Sequence, residues 1–403
     1  MTTFSKFFHE NIRPRTCQDL IHSTTCRQHL KKDILLYILS NFKYFAPVCL
    51  LPALIKIRSI NKKKLQKTLE YYLSCSVVGT CMGYTTNFLI CLLRNICGQF
   101  GYYSFLFIPS FLAANILYLG PDRVINLYET TIFQCAFETF FLMRKNFISR
   151  TIANSRIIQT GLFMTCSAII LHAKQMFNAK GFWLLNPNPK TKPMENIEEY
   201  SKCELHSRSN CKQYLFDGMR KYFILGLSLD IIKMLMSEVK PMSNQSKFMG
   251  KLKNFRVRSM ALFAAYIGIY RFANCWFNSK HYWSNVRNHI LSAFLAGSCY
   301  YLYPQSTLFS FALVQAIRSL WTIFEMSNID SKNKMLKQLL AIPYARILYP
   351  FALGNMVHLL VMQPKYISHL AATVANGLTN NFPKHIQNEV ILLQRKLKFE
   401  RKH

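Results

Sequence analysis

Phe111-Leu-Ala-Ala-Asn-Ile-Leu-Tyr-Leu119 returns as Phe294-Leu-Ala-Gly-Ser-Cys-Tyr-Tyr-Leu302, 183 residues further along the chain. Working outward from that pair, Cys26-Arg-Gln-His-Leu30 returns as Cys211-Lys-Gln-Tyr-Leu215, 185 residues on, and Cys17 and His22 correspond in the same way to Cys203 and His206. An offset this constant over the whole first half implies that one unit was duplicated and fused. In membrane proteins such repeats build pseudo-symmetric bundles with the functional region at the repeat interface. The chain divides accordingly into a first repeat at 1–173, a polar linker at 174–202, a second repeat at 203–363 and a basic C-terminal tail at 364–403.

Composition points to the bilayer. Of the 403 residues 51% are hydrophobic and only 17% charged, with 32 Phe and 21 Tyr. A soluble domain carries about 25% charged residues. The net charge of +32 would suit a nucleic-acid binder. The basic residues, however, sit in short runs between long apolar stretches, the pattern of membrane spans joined by positive loops. The expectation is therefore no nucleic-acid partner and an all-α, multi-pass transmembrane helical bundle made of two tandem repeats.

Apolar segments run roughly over 34–57, 71–93, 103–120, 124–143 and 157–173, then over 219–239, 258–277, 289–303, 306–327 and 344–363. A full span takes about 20 residues, and 71–93, 124–143 and 258–277 meet that on length. The loop Lys56–Lys67 carries Lys56, Arg58, Lys62, Lys63, Lys64 and Lys67; Lys240–Arg258 carries Lys240, Lys247, Lys251, Lys253, Arg256 and Arg258. The positive-inside rule puts both on one face. Five crossings between them would put them on opposite faces, so one segment is expected not to span. The segment 219–239, with Lys221, Asp230 and Lys233 inside it, is the one singled out as interfacial. The basic loops are expected to meet anionic lipid headgroups.

Small residues recur at helical spacing: Gly79 and Gly83, Ser110 and Ala114, Ala264 and Gly268, Ala293 and Gly297. Such pairs let helix backbones approach closely. Ionisable residues inside apolar segments mark either a polar path for a solute or structural charges satisfied by their neighbours. The leading ones are Glu129, Glu138, Asp230, Lys233, Arg271 and Arg318.

Two Cys/His clusters stand before the apolar segments of each half. Cys17, His22, Cys26 and His29 offer four donors; Cys203, His206 and Cys211 offer three, because Tyr214 stands where His29 would return. Zinc takes four N and S ligands in a tetrahedron. A zinc site in the first cluster, one site shared between the clusters, a disulfide pair and reduced unliganded thiols all satisfy these spacings. No Gly-rich phosphate loop, nucleophile elbow or His-Glu-x-x-His occurs, so no enzymatic activity is expected.

The block Tyr266-Ile-Gly-Ile-Tyr270, Cys275, His289-Ile-Leu-Ser-Ala-Phe-Leu-Ala-Gly297, then Tyr303, Ser306 and Thr307, together with a Cys-rich N-terminal stretch and Lys43-Tyr-Phe-Ala-Pro47, resembles the transmembrane protein 135 family, also called peroxisomal membrane protein 52. The Gly/Ala-rich helices are similar to the Tim17/Tim22/Tim23 superfamily, to which that family is related. The resemblance implies two Tim17-like repeats of four spans each, with 34–57 and 219–239 outside the four-helix cores. It implies a protein of the peroxisomal and mitochondrial membranes, linked to mitochondrial fission and to lipid and fatty-acid metabolism. On that footing the chain is a scaffold or regulator with protein partners in the fission machinery. The rival expectation is a transporter or channel for a lipid-related solute through the repeat interface.

Overall fold

The computed structural model describes residues 6–50, 61–179, 181, 183, 210–236, 258–280, 284–328 and 333–400. Every regular element among the described residues is helical. The α-helices are α1 (Cys17–Leu20), α2 (Cys26–Phe45), α3 (Lys62–Cys97), α4 (Phe107–Ala114), α5 (Asp122–Met143), α6 (Phe147–Asn154), α7 (Arg156–Met176), α8 (Cys211–Met236), α9 (Arg258–Ser279), α10 (Asn285–Ala296), α11 (Ser306–Ser327), α12 (Lys334–Ala341), α13 (Tyr344–Met362), α14 (His369–Leu378) and α15 (Phe382–Glu400). Short π turns occupy Phe8–Ile12 and Ala46–Leu50, and 3-10 turns follow α4 at Asn115–Leu119, α10 at Gly297–Tyr301 and α13 at Pro364–Tyr366.

The helix ends are written in the sequence. Thr25 accepts from the Gln28 amide at 3.4 Å to start α2, and Ser368 accepts from the Ala371 amide at 3.0 Å to start α14. Each satisfies one of the amide groups a helix leaves without a partner at its start. Helix α3 stops at Gly98, whose φ of +66° is the left-handed cap that only glycine adopts without strain.

Among the described residues five helices are long and apolar enough to cross a membrane: Cys26–Leu50, Lys62–Cys97, Arg156–Met176, Ser306–Ser327 and Tyr344–Met362. Their apolar side chains are turned outward as well as inward. On α2 Leu35 and Leu39 are 60% and 58% exposed, and Leu348 and Phe351 on α13 are exposed too. Water penalises such a surface, whereas lipid tails solvate it. Helix α2, drawn from the stretch that the resemblance places outside the four-helix core, runs on through the Ala46–Leu50 turn to a 25-residue apolar rod. Helices α5 and α9 have the length to span but are not among the five, because Glu129 and Glu138 in one and Arg271, Asn274 and Asn278 in the other dilute their apolarity. Helix α8, from the segment marked as interfacial, is likewise not among the five.

Two compact units form, Met1–Lys145 with Ala341–His403, and Asn146–Leu340. They do not follow the repeat boundaries at 173 and 203: α7 belongs to the second unit and α13 to the first. In the first unit α2 lies along α3, and α4 is held between α3 and α13. Its main core gathers Cys75, Val78, Met82, Leu117, Val124, Tyr128, Ile132, Tyr349 and Met356. A second core buries Phe8, Ile12, Leu20 and Ile21 from the N-terminal segment against Ile90, Phe100, Phe105, Val361 and Ile386. In the second unit α8 lies along α9, and α10 is held between α9 and α7.

Candidate functional site

The N-terminal segment reaches its place through its backbone. The Arg13 carbonyl accepts from the Phe100 amide at 3.1 Å, and the Arg15 carbonyl accepts from Arg94 Nε at 2.9 Å. Asp19 then closes the first turn of α1 by accepting from the Thr16 amide and hydroxyl, both at 2.8 Å. The Thr16 amide, foremost, holds the Asp19 carboxyl below the usual carboxylate range. These contacts set Cys17 and His22 beside the last turns of α3.

There Cys17, His22, Cys26 and Cys91 place one donor atom each within 4.8 Å of all the others. All but Cys26 are buried. His22 Nδ1 lies 2.7 Å from the Thr24 carbonyl oxygen. A carbonyl only accepts, so Nδ1 donates there, and the other ring nitrogen, Nε2, faces Cys91 Sγ at 3.6 Å. A hydrogen bond from Cys91, ahead of the opposing effect of burial, lowers the Cys17 thiol to about 7. Near neutral pH that favours the thiolate, the form that ligates and attacks.

The converging set differs from the first cluster read from the sequence. His29 is not among the four donors: its Nε2 turns to Asp33 at 3.2 Å and to the Asn87 amide at 3.2 Å, and its ring packs on His22 with centroids 4.3 Å apart. Cys91, which from sequence counts as a small apolar residue inside a span, takes the fourth place. Of the second cluster, Cys203 and His206 lie outside the described residues, and Cys211 opens α8 half-buried.

The small residues lie where helices meet. A Cβ on Gly79 would strike Asn41 and Tyr128, and one on Gly83 would meet Tyr37 at 3.0 Å, which allows α2 its approach to α3. A Cβ on Gly297 would stand 2.6 Å from Met164 Cα, and one on Gly268 3.1 Å from Met219 Sδ. Ser110, Ala114 and Ala293 are fully buried; Ala264 is half-buried.

Three of the charged residues hold structural contacts. Asp230 accepts from the Ser259 and Met260 amides at 3.0 and 3.2 Å, at the start of α9. The Arg271 guanidinium lies over the Tyr214 ring at 4.0 Å and donates to the Tyr214 carbonyl. Glu129 is buried on α5 with the Tyr118 hydroxyl 3.5 Å away. Glu138 is buried on α5, Arg318 is half-buried on α11, and the Lys233 side chain lies outside the described residues.

One feature escaped the sequence reading. In the second unit a buried polar chain runs from Tyr270 to His289 Nδ1 at 2.7 Å, from His289 to Asn274 at 3.2 Å, from Asn274 to Asn278 at 2.9 Å and from Asn278 to Asn288 at 3.1 Å. Its sequence signal is a pair of Asn residues four apart in an apolar helix. In the first unit a cavity of about 50 Å3 lies among Met82, Ser110, Ile132, Tyr349 and Val374. Comparison with family models, with curated proteins and with solved structures finds no match.

Proposed function

We propose that this chain is a two-repeat, multi-pass membrane protein of peroxisomes and mitochondria that acts as a scaffold or regulator of mitochondrial fission and of lipid and fatty-acid metabolism. The observation that carries the membrane part is the set of five apolar helices with outward-facing Leu, Ile and Phe. Two of the five, α3 and α7, fall between the two basic loops. Two crossings return the chain to the same side, as the positive-inside rule asks.

Two features support the repeat. The break from α-helix to 3-10 turn comes after Ala114 in the first half and after Ala296 in the second. The last span of each half also packs on the short helix of the other half, α13 on α4 and α7 on α10. The organelle and the process rest on the sequence resemblance. The engaged state of Asp230 and Arg271 favours a scaffold over a conduit. The transporter reading draws on the Tyr270–His289–Asn274–Asn278–Asn288 chain, a polar line through an apolar helix pair.

Protease protection of a protein tagged at each terminus, in fractionated peroxisomes and mitochondria, tests the reading. Both basic loops are expected on the cytosolic face, and removal of the protein is expected to alter mitochondrial length. Residence in the secretory pathway overturns the organelle assignment. Loss of function in Asn278→Ala and Asn288→Leu variants that still fold and localise turns the choice toward transport.

A further inference from the structure

We propose that Cys17, His22, Cys26 and Cys91 form a closed, tetrahedral zinc site that fastens the N-terminal segment to α2 and α3. Three thiols and one imidazole are a structural zinc set, and with four protein ligands no position stays open for a substrate. The dimensions fit. Zinc bonds of about 2.3 Å to sulfur and about 2.0–2.1 Å to nitrogen give a tetrahedral S···N edge of about 3.6 Å. His22 Nε2 and Cys91 Sγ are 3.6 Å apart, and all the donor atoms lie within 4.8 Å of one another.

The outer contacts fit as well. A ligating histidine characteristically gives its other N–H to a carbonyl or carboxylate, which fixes the ring and its tautomer. His22 does this with the Thr24 carbonyl at 2.7 Å. The ligands come from three places: Cys17 from α1 with His22 just beyond it, Cys26 from the first turn of α2, and Cys91 from the end of α3. A metal at their centre therefore adds a bond network to the backbone and arginine hydrogen bonds that already tie the N-terminal segment to the end of α3. Soft thiolate donors in a tetrahedron favour zinc over magnesium or calcium, which take oxygen.

The test uses the full chain purified in detergent without a metal-affinity step and equilibrated with zinc. Metal analysis is expected to show that Cys91→Ser carries one zinc per chain fewer than the wild type, whereas His29→Ala and Cys81→Ser carry the wild-type amount. Full zinc in Cys91→Ser, or loss of the same zinc in His29→Ala, overturns the assignment, as does iron in its place. Because Cys91→Ser removes a buried group, the wild type is also probed directly with maleimide. Cys17, Cys26 and Cys91 are expected to resist labelling with zinc bound and to react once a chelator is added, while Cys97, exposed at the end of α3, reacts in both cases. Labelling indifferent to the chelator, or a mass two units low from a Cys17–Cys26 disulfide, overturns the site.

Discussion

Gly297→Ala isolates the close approach of two helix backbones in the second unit. Gly297 has φ −60°, an ordinary helical value, so alanine brings no backbone strain there. The whole effect is contact. The new methyl would lie 2.6 Å from Met164 Cα and 3.1 Å from Met164 N, and both are backbone atoms that cannot rotate away. Carbon atoms rest about 3.5–4.0 Å apart, so α7 must retreat by about 1 Å. Overpacking of this kind costs about 1–3 kcal/mol. At about 2–4 °C per kcal/mol for a unit of this size, the midpoint falls by about 2–12 °C. Gly161→Ala is the matched control: it lies on the same helix as Met164, and nothing stands within 4 Å of its added methyl. There alanine is expected to leave stability unchanged or raise it by up to about 1 kcal/mol through helix propensity. The assay is thermal unfolding of both variants in one detergent, followed by intrinsic fluorescence. A Gly297→Ala midpoint equal to or above that of the wild type would refute the close approach of α7 and the Gly297 turn.

Three further outcomes follow from contacts of single residues. Asp230→Ala leaves the Ser259 and Met260 amides without their acceptor, costs about 1–2 kcal/mol and speeds hydrogen exchange over the first turn of α9; Asp230→Asn keeps most of the protection, and equal exchange in wild type and alanine variant would remove the capping role. Arg271→Lys loses the planar stack over Tyr214 while keeping the charge, so it lowers stability by about 0.5–2 kcal/mol, read as a fall in the thermal midpoint that Arg271→Ala should match or exceed. Chelation of the wild type is expected to raise exchange in residues 8–22 first, because those residues hang on α3 through Cys17 and His22; uniform change across both units would point to general unfolding instead.

What the sequence made readable was governed by local periodicity. The helices, the small-residue pairs and the caps all depend on residues three or four apart, and the chain states them directly. The missed features depend on distance. Cys91 looks like filler in an apolar run because its partners lie at the other end of the first 90 residues. Phe8 and Ile12 sit in a stretch that reads as polar and basic, yet both are fully buried, because α3, α13 and α15 give them a surface that no local pattern announces. The grouping of α13 with the first unit and of α7 with the second was invisible for the same reason. Sequence similarity marks what was copied, not which copy a helix packs against.

That contrast bears on the metal. In both halves the residue three after the paired cysteine bridges to the next helix: His29 to Asn87, and Tyr214 to Arg271. The bridge is shared, and its chemistry differs. In the register that pairs Gly79 and Gly83 with Ala264 and Gly268, Cys91 falls on Trp276, which is half exposed. Cys275 stands one residue away, and one residue turns a helix by about 100°. The second half therefore lacks both His29 and, at that register, the thiol that completes the first cluster. It fills the place with a guanidinium over an aromatic ring instead. The first cluster's four donors converge only where Cys91 stands on α3, so the proposed zinc geometry belongs to the first unit and has no counterpart at the matching position of the second half.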